Sequence, residues 1–527
     1  MRPSKSAFSD NRISTKNGVL EGTRGPGAQL AVFLGVPFAD PPVGDLRFAP
    51  PRPASNWFGV RRADRFGPRP MQRAVFGDMN FRSEDMDEDC LYLNIWTPAN
   101  SEHDRLPVLV YFYGGGNMAG DGSEPRYDGA ALARRGIVTL TANYRLGVFG
   151  FFAHPELSQE FPHALSGNQG YLDQVAALTW VRDNIAAFGG DPAQVTVVGE
   201  SAGAVSVNIL MASPLSRDLM ARAIGSSGSA IANVLAPVGL SEKERLGAGF
   251  ATETGAGSLV AMRRMPAAAL LEASSSLGVP AFTGAVGTPL LPRGVAQIFA
   301  AGEQAEVPLL VGWNSEEAGY ADILKKRAPT PENYARAVRA LYAQSAEEVL
   351  DLYPARAPEE VVVAARDLAS DRFMGYATWK WSDLHAATGK APVYRYLYTH
   401  PRPPMVPELG DAVAGLAGGI IRGTRRRKDN LAPPGALHSA DIEYAMGNLA
   451  TNHIFAWTAD DYKVSETMQT YYANFTRTGD PNGDGAPTWP VAKGAAETEV
   501  LYWDVEAKAG LERNRARYLF HDRILGH

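Results

Sequence analysis

A chain of 527 residues that is 45% hydrophobic and 20% charged has the make-up of an ordinary globular protein, which excludes disordered, collagen-like and coiled-coil architectures. The 51 Lys and Arg against 57 Asp and Glu leave a net charge of −6, too small and of the wrong sign to gather phosphate backbones, so no nucleic-acid partner is expected. No stretch of about 18 uncharged apolar residues is present to span a bilayer.

The N-terminal MRPSKSAFSDNRIST has basic residues but no apolar segment behind them. It does not read as a secretory signal, so a cytoplasmic location is expected unless a signal has been removed. AVFLGVPFA, LYLNIW, PVLVYFYGGG and IVTLTANYRLGVFGF follow as β-rich runs with Gly and Pro between them. Residues 108–113 and 137–144 are continuously apolar or β-branched, the pattern of strands buried on both faces. Cys90, the single cysteine, stands at the start of LYLNIW; it has no partner for an intramolecular disulfide, and a structural role is expected of it. Over residues 171–188 the period becomes helical, with Leu172, Val175, Leu178, Val181 and Ile185 on one face. GGDP ends that helix and QVTVVG begins another buried strand. Strand, turn, helix, turn, strand predicts an α/β fold with a mostly parallel sheet. No repeat and no linker divides the chain, so residues 1–527 are expected to form one domain. Residues 401–437, rich in Gly, Ala and Pro and holding the basic run 425–428, read as a loop-rich insertion and a candidate flap.

The strongest local signal is Gly199-Glu200-Ser201-Ala202-Gly203, placed between the strand VTVV and a helical stretch. Two glycines around a serine at a strand-to-helix turn form a nucleophile elbow, which lifts Ser201 clear of the sheet. The N–H groups at the start of the helix behind it favour negative charge nearby. An acyl transition state needs donors for its oxyanion. Gly114, Gly115 and Gly116 follow the strand VLVYF and leave backbone N–H groups unshielded; Gly115 and Gly116 are the candidate donors, with the N–H of Ala202 as the third. A serine hydroxyl also needs a base. Of nine histidines, His438 follows a loop well downstream of the serine, as the order serine, acid, histidine requires. A predicted strand over 307–311 is followed by Glu316 and Glu317, and either glutamate fits the place of the acid.

The segments FLGVPFADPPVGDLRFAPP, EDCLYLNIWTP, the YGGG loop, NYRLGVFGFF, the stretch from GNQGYLDQ to VVGESAGA, VPLLVGWNSEEAGY, HSADIEYAMGN and TGDPNG occur in that order. Together they resemble the type-B carboxylesterases of the α/β-hydrolase fold, a group that includes cholinesterases and p-nitrobenzyl esterases. The resemblance covers nearly the whole chain. Its G-x-N-x-x-E pattern, with Gly312 and Asn314 as register, implies Glu317 as the acid. It also implies that Ser227 hydrogen-bonds that acid and that Glu200 lines the gorge beside the nucleophile.

Three departures from the family pattern bear on function. Relatives often pair the cysteine of EDCLYLN with one about twenty residues earlier, where this chain has Met71, so the loop from Met71 to Cys90 is not stapled. Cholinesterases carry a tryptophan on that loop to stack on a quaternary ammonium; Phe76 and Phe81 are the aromatics here, which disfavours choline esters. Tyr113 stands before the three glycines, where many bacterial relatives have histidine. The function expected is hydrolysis of small to medium apolar or aromatic carboxylic esters through an acyl-enzyme, with a small-molecule ester as partner and with neither metal nor organic cofactor. A neutral histidine base implies that kcat/KM rises with pH around roughly 6 to 7. A binding protein that had lost its triad is disfavoured, because serine, acid, histidine and glycine loop are all intact. A lipase would want an amphipathic lid, for which 401–437 is the candidate.

Overall fold

The buried runs pack side by side into one sheet, seen in a computed structural model that describes residues 11–25, 30–161, 166–232, 234–421, 435–483, 485–492 and 498–526. The basic run 425–428 and the rest of 422–434 lie outside the described residues. Among the described residues eleven strands make the sheet: β1 (Thr23–Arg24), β2 (Ala31–Pro37), β3 (Tyr92–Thr97), β4 (Leu106–Phe112), β5 (Val138–Ala142), β6 (Gly190–Glu200), β7 (Arg222–Ser226), β8 (Leu309–Asn314), β9 (Val393–Tyr398), β10 (Glu499–Trp503) and β11 (Lys508–Leu511). Their spatial order is β11-β10-β9-β8-β7-β6-β4-β5-β3-β2-β1. The seven strands from β5 to β10 pair in parallel, and the strands beyond them are antiparallel. Val108–Phe112, β5 and β8 are buried along their length, which a parallel strand covered by helices on both faces requires.

The helix expected over 171–188 is α1 (Gln169–Asn184), followed by a 3₁₀ turn over Ile185–Phe188 and closed by Gly189 at φ +78°. It is buried on more than one face, since Asp173 and Gln174 are inside as well. Asp173 is there because it takes three hydrogen bonds from Arg145, at 2.7–3.0 Å. The strand expected over 307–311 lies further along. Pro308 has no N–H to give the ladder, and pairing with β9 carries β8 through to Asn314. α2 (Ala202–Ala212) packs behind β6 and β7. α3 (Tyr376–Thr388) continues from a π-helical turn over Asp371–Gly375; it buries Trp379 and Trp381, and Trp381 fits against Gly225 of β7.

Ile323, Tyr334, Val338, Val349, Val361, Leu368 and Phe520 form an apolar cluster apart from the sheet core, so the helices over 331–370 make a lobe with its own interior. Among the described residues, no helix is long and apolar enough to cross a membrane.

Candidate active site

Strand order brings the candidate groups together. β4 and β6 are neighbours, so the glycine loop after β4 meets the turn after β6. β8 lies one strand beyond β7, and the loop that follows it reaches the same end of the sheet. Ligand sites of open α/β sheets form at these carboxyl ends.

Ser201 joins β6 to α2 at φ +57°, a conformation a non-glycine residue adopts at a cost. The flanking glycines permit the turn: a Cβ on Gly199 would run into the carbonyl of Gly203, and one on Gly203 into that of Phe112. Oγ of Ser201 lies 2.9 Å from His438 Nε2, and His438 Nδ1 lies 2.5 Å from Glu317 Oε2. The other carboxylate oxygen of Glu317 accepts the N–H of Asn314 at 2.6 Å. Ser201 and His438 are nearly buried, with 8% and 7% of their surface exposed.

The loop carrying the histidine is stitched to the loop carrying the acid. Glu316 N donates to Ala436 O, Ala436 N to Ser315 Oγ, and Asn314 Nδ2 to Leu437 O. Glu316, the alternative acid, points away and pairs with Arg366 at 2.7 Å.

The glycine loop lies against the nucleophile: a Cβ on Gly114 would be 2.9 Å from that of Ser201. Gly115, Gly116 and Asn117 all have positive φ, and the Asn117 side chain holds the turn through Tyr171 OH at 3.2 Å and the carbonyl of Phe282 at 3.1 Å. Ala202 is the first residue of α2, so its N–H has no carbonyl within the helix. Three apolar side chains surround these groups. Met79 Cε sits 3.2 Å from where a Cβ on Gly115 would stand, Met118 Cε sits 3.4 Å from the corresponding place on Gly116, and the ring of Phe373 meets the imidazole of His438 edge-on at 5.3 Å.

Glu200 lies beside the site, buried, with Oε1 3.4 Å from His438 Nε2. Burial pushes its carboxyl up to about 8, against the pull of the imidazolium. For His438, burial favours the neutral ring, but the charges of Glu200 and Glu317 outweigh it and push the imidazole up to about 9. A rise of kcat/KM governed by this ring is therefore expected above pH 6 to 7.

Ser227 does not bond the acid. Its Oγ is buried without a hydrogen-bond partner among the described residues, and its backbone turns to φ +53°. The neighbouring Ser226, last residue of β7, is the one turned toward the histidine loop. Its Oγ donates to Asp441 Oδ2 and accepts from Tyr396 OH at 2.9 Å, while Asp441 Oδ1 takes Asn314 Nδ2 at 3.1 Å. Ser226, Asp441 and Phe373 were not singled out from sequence. Asp441 stands three residues after His438, the one local sign that was available.

The sequence profile of the carboxylesterase family matches residues 9–520. The chain is 36% identical to liver carboxylesterase 1 of Oryctolagus cuniculus over 519 residues, 89% of this chain and 85% of that protein. It is 34% identical to the fumonisin B1 esterase of Sphingopyxis macrogoltabida over 496 residues, 90% of this chain and 83% of that one. Among solved structures, the carboxylesterase of Geobacillus stearothermophilus superposes with a TM-score of 0.78 at 29% identity, over 96% of this chain and all of that one. A PNB esterase gives 0.76 at 29%, over 97% of this chain and all of that one.

Proposed function

We propose that this chain, which belongs to the carboxylesterase family and is a hydrolase of ester bonds with the α/β-hydrolase fold, works through Ser201, His438 and Glu317 by way of an acyl-enzyme. The observation that carries the reading is the unbroken line from Ser201 Oγ through the imidazole to Glu317, 2.9 Å and 2.5 Å long.

His438 Nε2 takes the proton of Ser201 as Oγ attacks the ester carbonyl, and Glu317 holds the Nδ1–H and the imidazolium that forms. The N–H groups of Gly115, Gly116 and Ala202 receive the oxyanion. His438 returns the proton to the leaving alcohol as the C–O bond breaks; water, activated by the same nitrogen, then releases the acid and restores Ser201. The half-buried, uncharged Met79, Met118 and Phe373 support small to medium apolar or aromatic esters as substrates.

The test is a panel of p-nitrophenyl esters from acetate to palmitate, run with Ser201→Ala and with organophosphate labelling. Short and medium esters should turn over, and the variant should lose about 10⁴-fold or more in kcat together with the label. Full activity in Ser201→Ala, or label on another residue, sinks the assignment.

A further inference from the structure

We propose that Asp78 is a positioning residue for substrate selection: clamped between Gly415 and Gly419, it holds the 71–90 loop against the hairpin of Val413–Ala414 and Ile420–Ile421 and so fixes the wall on the leaving-alcohol side of the pocket. The inference rests on the reading that Ser201 and His438 carry out the chemistry.

The 71–90 loop needs such a hold. Cys90 is its one cysteine, and Met71 lines the same small cavity where a second would stand. Its roots are fixed by polar contacts, with Arg47 Nε on Glu88 at 2.6 Å and Gln72 exchanging two hydrogen bonds with Gly120 at 2.8 and 2.9 Å. Its return arm is tied as well, with Arg82 and Ser83 bonded to Ser123 and Asp121, whereas the tip between these anchors is largely open to solvent. Arg73, Ala74, Val75, Gly77 and Asn80 are exposed, yet Asp78 among them is only 6% exposed. A carboxylate buried at an exposed tip is dehydrated at a cost unless something receives it.

The hairpin receives it. Gly415 N donates to Gly419 O at 3.0 Å to close the turn, and Gly419 N–H donates to Asp78 Oδ2 at 3.3 Å. A Cβ on Gly415 would overlap the Asp78 carboxyl group, and one on Gly419 would overlap the Asp78 carbonyl. The two glycines thus form a slot that admits this one residue and leaves no room for a side chain of their own.

Both ends of the clasp reach the catalytic groups. Met79, the next residue, covers Gly115. On the other side, Leu416 O accepts Ser439 Oγ, Gly418 O accepts Asn452 Nδ2 at 2.9 Å, and Arg402 Nη2 bridges Ser439 O at 3.0 Å to Glu443 Oε2 at 2.7 Å. One run of contacts therefore links the glycine loop, Met79, Asp78, the hairpin and the residue after His438. His438 must deliver a proton to the leaving oxygen, so the alcohol lies on the histidine side of the ester carbon, the side to which the hairpin is tied. The clasp thereby limits the room for the alcohol and leaves the acyl side alone.

The experiment compares two ester series in the full chain: acetates of alcohols from methyl to naphthylmethyl, and p-nitrophenyl esters of increasing acyl length. Gly415→Ala and Asp78→Gly should each raise the kcat/KM ratio of bulky to small alcohols by about tenfold, with the acyl-series ratio held within about twofold. The double variant should do no more than either single one, because both break the same contact. Asp78→Asn, which keeps the shape and the acceptor oxygen, should retain the original ratio. A ratio that stays or falls in the single variants, effects that multiply in the double, or an equal change in the acyl series overturns the proposal. Should Gly415→Ala fail to fold, Asp78→Gly against Asp78→Asn decides it alone. Organophosphate labelling of Ser201 in each variant separates a failed clasp from a failed triad.

Discussion

The floor of the pocket and its rim are both built from loops, but they are held in different ways. The floor is anchored by strands: Ser201 follows β6, and Asn314, whose N–H binds the acid and whose side chain binds Leu437 and Asp441 on either side of the histidine, ends β8. Each catalytic group is therefore one or two bonds from a buried parallel ladder. The rim is held by one loop against another, as where Asp78 meets the hairpin over 413–421. An anchor in a sheet fixes positions tightly enough for chemistry. A loop-on-loop contact fixes the shape of a pocket and leaves the reaction to others. Variants in the floor should thus cost rate, and variants in the rim should cost selectivity.

Glu317→Gln gives the largest contrast. The amide keeps the shape but loses the charge that stabilises the imidazolium, and its NH₂ can face Nδ1 and favour the wrong tautomer. A fall of about 10³–10⁴-fold in kcat is expected, with KM within a few fold. Steady-state kinetics on p-nitrophenyl acetate check it. A loss under tenfold would place the floor on the same footing as the rim.

Asp441→Ala comes next. It strips Ser226 Oγ and Asn314 Nδ2 of a buried partner, at about 1–3 kcal/mol of stability for groups left unpaired. Asn314 also steadies Leu437, so kcat should fall by about tenfold as the thermal midpoint drops. An unchanged midpoint would show that Asp441 is dispensable to the floor.

Glu200→Gln acts on the pH profile. Burial raises the Glu200 carboxyl, and the charges of Glu200 and Glu317 raise the His438 imidazole, so the two titrate as a coupled pair and the neutral imidazole is expected above the usual histidine range. With glutamine beside it only the histidine titrates, and one charge that raised it is gone. The rising limb of kcat/KM should move to lower pH by about one unit. A limb that stays in place, or moves up, would remove Glu200 from the account of the raised imidazole.

The difference between floor and rim also explains what was legible in the sequence. Gly199, Ser201 and Gly203 share one turn whose geometry admits few residues, and the resemblance to a known family supplied the register for Glu317. The parallel sheet was legible because strands buried on both faces must be apolar throughout. Asp441 was not, because an aspartate after a histidine looks the same whether it holds a neighbouring strand or faces solvent. Ser227 was expected at the acid through the resemblance alone; the backbone reversal that leaves its Oγ unpartnered and turns Ser226 to Asp441 has no local signature. The slot for Asp78 joins residues more than 330 positions apart, and each half alone reads as an ordinary Gly-rich turn.

Phe373 stands between floor and rim, since it is carried by a helix and yet reaches the imidazole from the pocket side. Its ring meets His438 at an interplanar angle of 63°, and it is presented by the π-helical turn over Asp371–Gly375, a local irregularity of the kind that often re-aims a side chain. That turn is braced from behind, where Tyr353 OH donates to Asp371 Oδ2 at 2.7 Å. An edge-to-face contact is worth about 0.5–1.5 kcal/mol, so freeing the imidazole by Phe373→Ala should lower kcat on the smallest ester by about two- to tenfold while leaving the pH limb where it is. If KM for bulky esters changes and kcat does not, Phe373 is a wall of the pocket and nothing more. If kcat falls by several hundredfold, the ring belongs with the floor, and an edge-to-face contact carries more of the reaction than its energy suggests.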